Sequence, residues 1–167
     1  MKIISFILFL TFCNLAGYSQ SDPIEDFNAH KFPCDSGTTT LEINMCSGEK
    51  LDYANKLLND TYRRIIKSID KEIIASQKEL KLKRSQKADS LKNKDDIRFL
   101  MTDISYNQRL KAGIIQSQKE WIKLRDLNSA VVSITCEGGH ECITIANTAE
   151  IDDTLDRIKK LQSFYDL

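Results

Sequence analysis

Two groups of residues in this chain have the types and spacing to do chemistry. In both, that chemistry is recognition rather than bond-making. The first is Cys136-Glu137-Gly138-Gly139-His140-Glu141-Cys142, in which two glutamates and an imidazole lie between cysteines. If Cys136 pairs with Cys142, the segment becomes a stiff projecting finger, which loses little entropy on binding. Its imidazole could then approach a carboxylate pair, and its glutamates a cationic surface. The plainer reading is an ordinary turn whose glycines permit tight backbone geometry. The second group is Asn59, Tyr62, Gln118, Trp121 and Arg125. At helical spacing Gln118, Trp121 and Arg125 share one face, since side chains three and four apart stack over each other. An amide, the chain's one indole and a guanidinium on one face read first as a buried polar layer that ties helices in register. A recognition surface is the second reading.

Catalysis is not indicated. The two histidines, His30 and His140, lie far apart in sequence. No glycine-rich phosphate loop and no metal-ligand spacing occurs. No catalytic residue, metal or cofactor is therefore assigned. The formal charge is zero, from 24 basic and 24 acidic residues, which argues against nucleic acid as a partner. The balance hides segregation. Basic residues dominate Lys78 to Lys94, a face that is either simply solvated or able to touch anionic envelope lipid. Glu137 to Asp156 is acidic, with no lysine or arginine.

The first residues fix the compartment. One lysine precedes an apolar run to Ala16, and small residues at Gly17 and Ser19 suit a signal peptidase. Residues 1–19 are read as a secretory signal peptide, cut after Ser19. Lipidation at Cys13 is disfavoured because Phe12 stands where a small residue is required. The remainder has no apolar run long enough to span a bilayer. Export leaves Cys34, Cys46, Cys136 and Cys142, and an even count in an oxidising compartment implies two disulfides. Three connectivities remain open.

These groups need elements to position them. Residues 20–38 show no period and read as a loose lead tethered at Cys34. Thr39-Thr40-Leu41-Glu42 is a capping box. It opens a stripe through Leu51, Ala54, Leu58, Tyr62, Ile65, Ile69 and Ile73. Asn93-Lys94-Asp95-Asp96 offers a turn and a new cap. A second stripe then runs through Ile97, Leu100, Ile104, Ile114, Trp121 and Leu124. Asn147-Thr148-Ala149-Glu150 is a second capping box, opening a helix with Ile151, Leu155, Ile158 and Leu161 inward. The expectation is an all-α domain over residues 39–165. It consists of a long antiparallel helical hairpin and a shorter third helix, stapled by disulfides at one end, with the basic turn at the other.

The order of these motifs resembles the family defined by the lysozyme inhibitor LprI N-terminal domain. The resemblance rests on Cys34, then Asn44 and Cys46, then Leu58-Asn59-x-x-Tyr62. It continues with Gln118-x-x-Trp121-x-x-x-Arg125-Asp126 and closes with Thr154-x-x-Arg157-x-x-x-Leu161. The chain departs from the family pattern in lacking a cysteine soon after Asp126, where Ser129 stands; Cys136 would be the shifted counterpart. The resemblance implies an exported binding protein, with a lysozyme as partner and no enzymatic activity. A cysteine-bounded loop presenting a histidine also occurs in the unrelated Ivy-type lysozyme inhibitors, where it plugs the enzyme's carboxylate pair. By that analogy Glu137, Gly138, Gly139, His140 and Glu141 are the candidate binding residues. Asn59, Tyr62, Gln118, Trp121, Arg125, Asp126, Thr154 and Arg157 are then structural. The alternative is an envelope adaptor or oligomerisation element that inhibits nothing.

Overall fold

A computed structural model describes residues 22–85, 91–136 and 138–165. The signal segment, residues 86–90 of the basic stretch and Glu137 lie outside the described residues. Among the described residues there are four α-helices, α1 (Pro23–Ala29), α2 (Thr40–Ser85), α3 (Leu91–Thr135) and α4 (Cys142–Tyr165), with a short 3-10 turn at Pro33–Ser36. At about 1.5 Å rise per residue, α2 and α3 are each close to 70 Å long.

α2 begins where the sequence places its cap. The Thr39 hydroxyl accepts the Glu42 N–H at 3.2 Å, and the Glu42 carboxylate accepts the Thr39 and Thr38 N–H groups, each at 2.9 Å. Those two backbone donors hold the Glu42 carboxyl below the usual glutamate range. The unfolded chain therefore takes up this proton first, so the stabilisation is complete above the ordinary glutamate pKa and is lost as pH falls through the folded one. Glu42→Gln is expected to flatten the acid limb of stability just below about pH 4.3, while lowering stability at neutral pH. Thermal melts across the acid range check it; an unchanged acid limb would remove Glu42 as its source.

Cross-helix pairs set the topology. Asn55 meets Arg125, Asp70 meets Lys111, Ser76 meets Asp103 and Lys83 meets Asp96. Each step forward along α2 is matched by a similar step back along α3, so the two are antiparallel. Asn44 meets Thr144 and Ser47 meets Asn147, so α4 runs parallel to α2. The core lies where all three helices overlap: Leu58, Ile65 and Ile69 from α2, Ile114 from α3, and Ile158 and Leu161 from α4. Burying each such side chain contributes about 1.5–3 kcal/mol. Past the level of Tyr165 the hairpin continues, among the described residues, as α2 and α3. There the charge is partly neutralised, as Lys83 pairs with Asp96 at 2.7 Å.

Several expectations change. Asn93 to Asp96 do not form a turn, because α3 already starts at Leu91. The 147–150 capping box is not used. α4 starts at Cys142, and the Asn147 amide donates to Ser47 Oγ at 2.9 Å, a cross-helix bond in place of a local cap. Glu150, Asp152 and Asp153 are consequently in the third and fourth turns and do not compensate the helix dipole. β-Branched Val131, Val132 and Ile134 remain helical. Leu124 is 56% exposed and faces away from the core. From Asp22 onward the lead is held rather than loose: Asp22 caps α1 through Ile24 N–H, and Phe27, His30 and buried Phe32 pack around Tyr53 of α2.

Candidate functional site

The cysteine-bounded loop is the junction between α3 and α4. Cys136 pairs with Cys142 and Cys34 with Cys46, with Cα–Cα distances of 5.5 and 5.2 Å. Among the three pairings left open by the sequence, this one closes the loop on itself. Inside it the Gly139 N–H donates to the Cys136 carbonyl and the Cys142 N–H to the Gly139 carbonyl, at 3.3 and 3.0 Å. Gly138 has φ 75°, in the left-handed region that glycine occupies without strain. Added Cβ atoms there would meet nothing within 4 Å, so glycine answers a backbone requirement rather than a crowded one.

The loop is anchored from outside as well. Asn44 Nδ2 donates to the His140 carbonyl at 3.1 Å, and Asn44 Oδ1 accepts the Thr144 hydroxyl at 2.6 Å. One α2 side chain thus spans the loop and the first turn of α4. With its backbone held, the loop leaves Gly138, Gly139, His140 and Glu141 exposed. Glu137, the fifth candidate, lies outside the described residues. The disulfide between Cys34 and Cys46 borders the same end of the bundle, where Ile43, Ser47 and Thr144 line one cleft with it.

The second group separates into members and bystanders. Gln118 and Arg157 are buried and bonded to each other, Arg157 Nε donating to Gln118 Oε1 at 2.9 Å. Arg157 Nη2 donates to Ser117 Oγ at 3.0 Å. Burial lowers the Arg157 pKa, yet a guanidinium remains charged at neutral pH. Two cations lie over the Trp121 ring, Arg125 Cζ at 5.1 Å and Arg157 Cζ at 5.7 Å from its centroid. Each such contact is worth about 0.5–2 kcal/mol. Arg125 Nη1 donates to Asn55 Oδ1 at 2.8 Å, and Arg125 Nε faces Glu150 Oε1 at 3.2 Å. The latter is an ion pair without the alignment of a hydrogen bond. Arg125 Nη2 also approaches Asp126 at 3.5 Å.

The clamp therefore joins three helices rather than two, with Arg157 of α4 at its buried end. Asn59 stands outside it, exposed on α2, and Asp126 is exposed at its edge. Tyr62 packs its ring against the core. Thr154 is fully buried, and its hydroxyl has no hydrogen-bond partner among the described residues. The sequence reading did not assign Asn55, Ser117 or Glu150 to this layer. Asn55 and Glu150 each lie four residues from a motif residue, Asn59 and Thr154 respectively, but helical spacing alone does not say which neighbour turns inward. The arrangement can fix helix register; it presents no open polar cavity to a substrate.

Among the described residues no group of three or more histidines, cysteines or acids could hold a metal ion, and no helix is long and apolar enough to cross a membrane. In comparisons with known proteins, the family profile for the lysozyme inhibitor LprI matches residues 34–161. No curated protein and no solved structure matches.

Proposed function

The chain belongs to the lysozyme inhibitor LprI family, and from that membership we propose that it is an exported, non-enzymatic protein that binds and inhibits a lysozyme-type muramidase. The working surface is the Cys136–Cys142 loop. The observation that supports this most is the double restraint on it, by its own disulfide and by Asn44 on the His140 carbonyl, with the His140 side chain left exposed. A loop held by its backbone with its side chains free loses little conformational entropy on docking. In this reading His140 enters the cleft of the enzyme and hydrogen-bonds its catalytic carboxylates. Glu141 and Glu137 face the cationic rim, and the acidic residues of α4 steer approach at low salt. Residues 1–19 direct export and are removed.

The test is a cell-wall lysis assay with purified protein against vertebrate and bacterial muramidases. Inhibition is expected at stoichiometric amounts and stronger at low salt. His140→Ala should weaken it by about tenfold or more without changing the melting temperature, since the side chain is exposed. Absence of inhibition of either enzyme class would refute the reading. Full inhibition by His140→Ala would move the contact elsewhere on the surface.

A further inference from the structure

The outer face of α3, away from α2 and α4, carries a row of exposed side chains spaced three or four residues apart. It runs from Phe99 to Ile134, about 53 Å along the helix. Its two ends are apolar and uncovered. Phe99 is 71% exposed and Tyr106 52%; Leu124, Leu127, Val131 and Ile134 range from 56% to 75%. Six large apolar side chains in line on one face form an interaction surface rather than scattered exposure. The middle of the row is polar and narrow: Arg109, Gly113, Gln116 and Glu120.

We propose that this face pairs with the same face of a second copy, as an antiparallel α3–α3 contact with its two-fold axis beside Gln116. The row is its own reverse. Turned end for end, it sets Phe99 against Ile134, Thr102 against Val131 and Tyr106 against Leu127. Arg109 then lies against Leu124, and Gly113 against Glu120. In the three outer layers apolar residues meet apolar residues or, at Thr102, a threonine methyl, and Leu124 meets the aliphatic stem of Arg109. The Arg109 guanidinium comes within one helical turn of the partner copy's Glu120 carboxylate, and the two-fold repeats that pair. Self-complementarity of this kind is what an isologous interface requires, whereas an unrelated partner imposes no such symmetry. The three–four spacing is that of two helices packed with interlocking side chains.

The flanks fit the same geometry. Glu120 is held at the surface by Gln116 and Lys123 on its own helix, at 2.7 and 3.1 Å. Arg109 lies along the face, its Nε donating to the Ser105 carbonyl. A groove of about 580 Å³ beside the axis is lined by Gly113, Ile114 and Phe164, among others. Gly113 has open space above it, which lets the partner helix approach there. The His140 loop lies past the end of the row, so a dimer would carry two loops, one at each end.

Sedimentation of the purified protein tests this. A reversible dimer is expected, and Leu127→Asp should weaken its association by about a hundredfold with helix content and melting unchanged. Arg109→Glu and Glu120→Arg should each weaken it, and the double exchange should restore it. Orientation is read by mild oxidation: Gln116→Cys links to itself, and Phe99→Cys links only when mixed with Ile134→Cys. A monomer at every soluble concentration overturns the proposal. So does a dimer indifferent to Leu127→Asp, or self-linking of Phe99→Cys, which would mean parallel helices. A monomeric wild type that loses muramidase inhibition on Leu127→Asp would assign the row to the enzyme instead, and overturns the pairing equally.

Discussion

Replacing Arg157 with alanine is expected to destabilise the protein by about 3 kcal/mol. The side chain is buried, and its guanidinium satisfies Gln118 Oε1 and Ser117 Oγ while its plane lies by Trp121 and Phe164. Truncation leaves the Gln118 carbonyl without that donor in the interior and removes one of the two cations over the indole. The cost of an unmade buried bond exceeds the net value of the bond itself, so removing one partner is worse than removing both. Arg157→Met with Gln118→Leu should accordingly recover most of the loss, to within about 1 kcal/mol of the native chain. Urea unfolding measures the series, and the near-ultraviolet dichroism of the one tryptophan reports the clamp directly. If Arg157→Ala unfolds at the native urea midpoint, the clamp does not hold the helices. If the apolar double variant also keeps muramidase inhibition, the motif is structural and the binding surface lies elsewhere, as the exposed loop requires.

The second large effect concerns the loop. Cys136→Ser with Cys142→Ser should reduce inhibitory affinity by about tenfold or more, because the free loop must be ordered at the moment of binding. Stability should fall by only about 2 kcal/mol, since the bond closes a short loop and removes little entropy from the unfolded chain. Cys34→Ser with Cys46→Ser is the control. It should cost about 3 kcal/mol, for the somewhat longer loop, while inhibition by the folded fraction stays unchanged. Equal losses of inhibition in both variants would mean that the whole disulfide-bonded end, and not the His140 loop, forms the contact.

Much of the fold was legible because it depends on spacing along one helix. The apolar stripe of α2 and the Thr39–Glu42 cap are local patterns, and both stand as read. The 147–150 cap was a false local signal. Asn147 had a better use across the interface, on buried Ser47, than on its own backbone. Leu124 was misplaced for a related reason. α3 has apolar residues on two faces, and spacing does not say which one other helices cover. The inner face instead takes Asn107 and Gln118, polar residues that are buried because partners reach them from α3 itself and from α4.

The site divides along the same line. The sequence picked out the loop residues by type and the Gln118–Asp126 stretch by composition, since an indole between an amide and a guanidinium is distinctive wherever it occurs. It determined by itself that the chain is helical, that four cysteines follow the apolar leader and that its motifs follow the order of one family. Tertiary structure alone decided that Cys136 pairs with Cys142, that Asn44 reaches the His140 carbonyl and that Arg157 closes the clamp from a third helix. The reason is distance along the chain. Asn44 and His140 are 96 residues apart, and Gln118 and Arg157 are 39 apart. A one-dimensional period fixes which face a residue occupies on its own helix. It carries no term for which of the other helices arrives at that face, and here that arrival sets both the clamp and the loop.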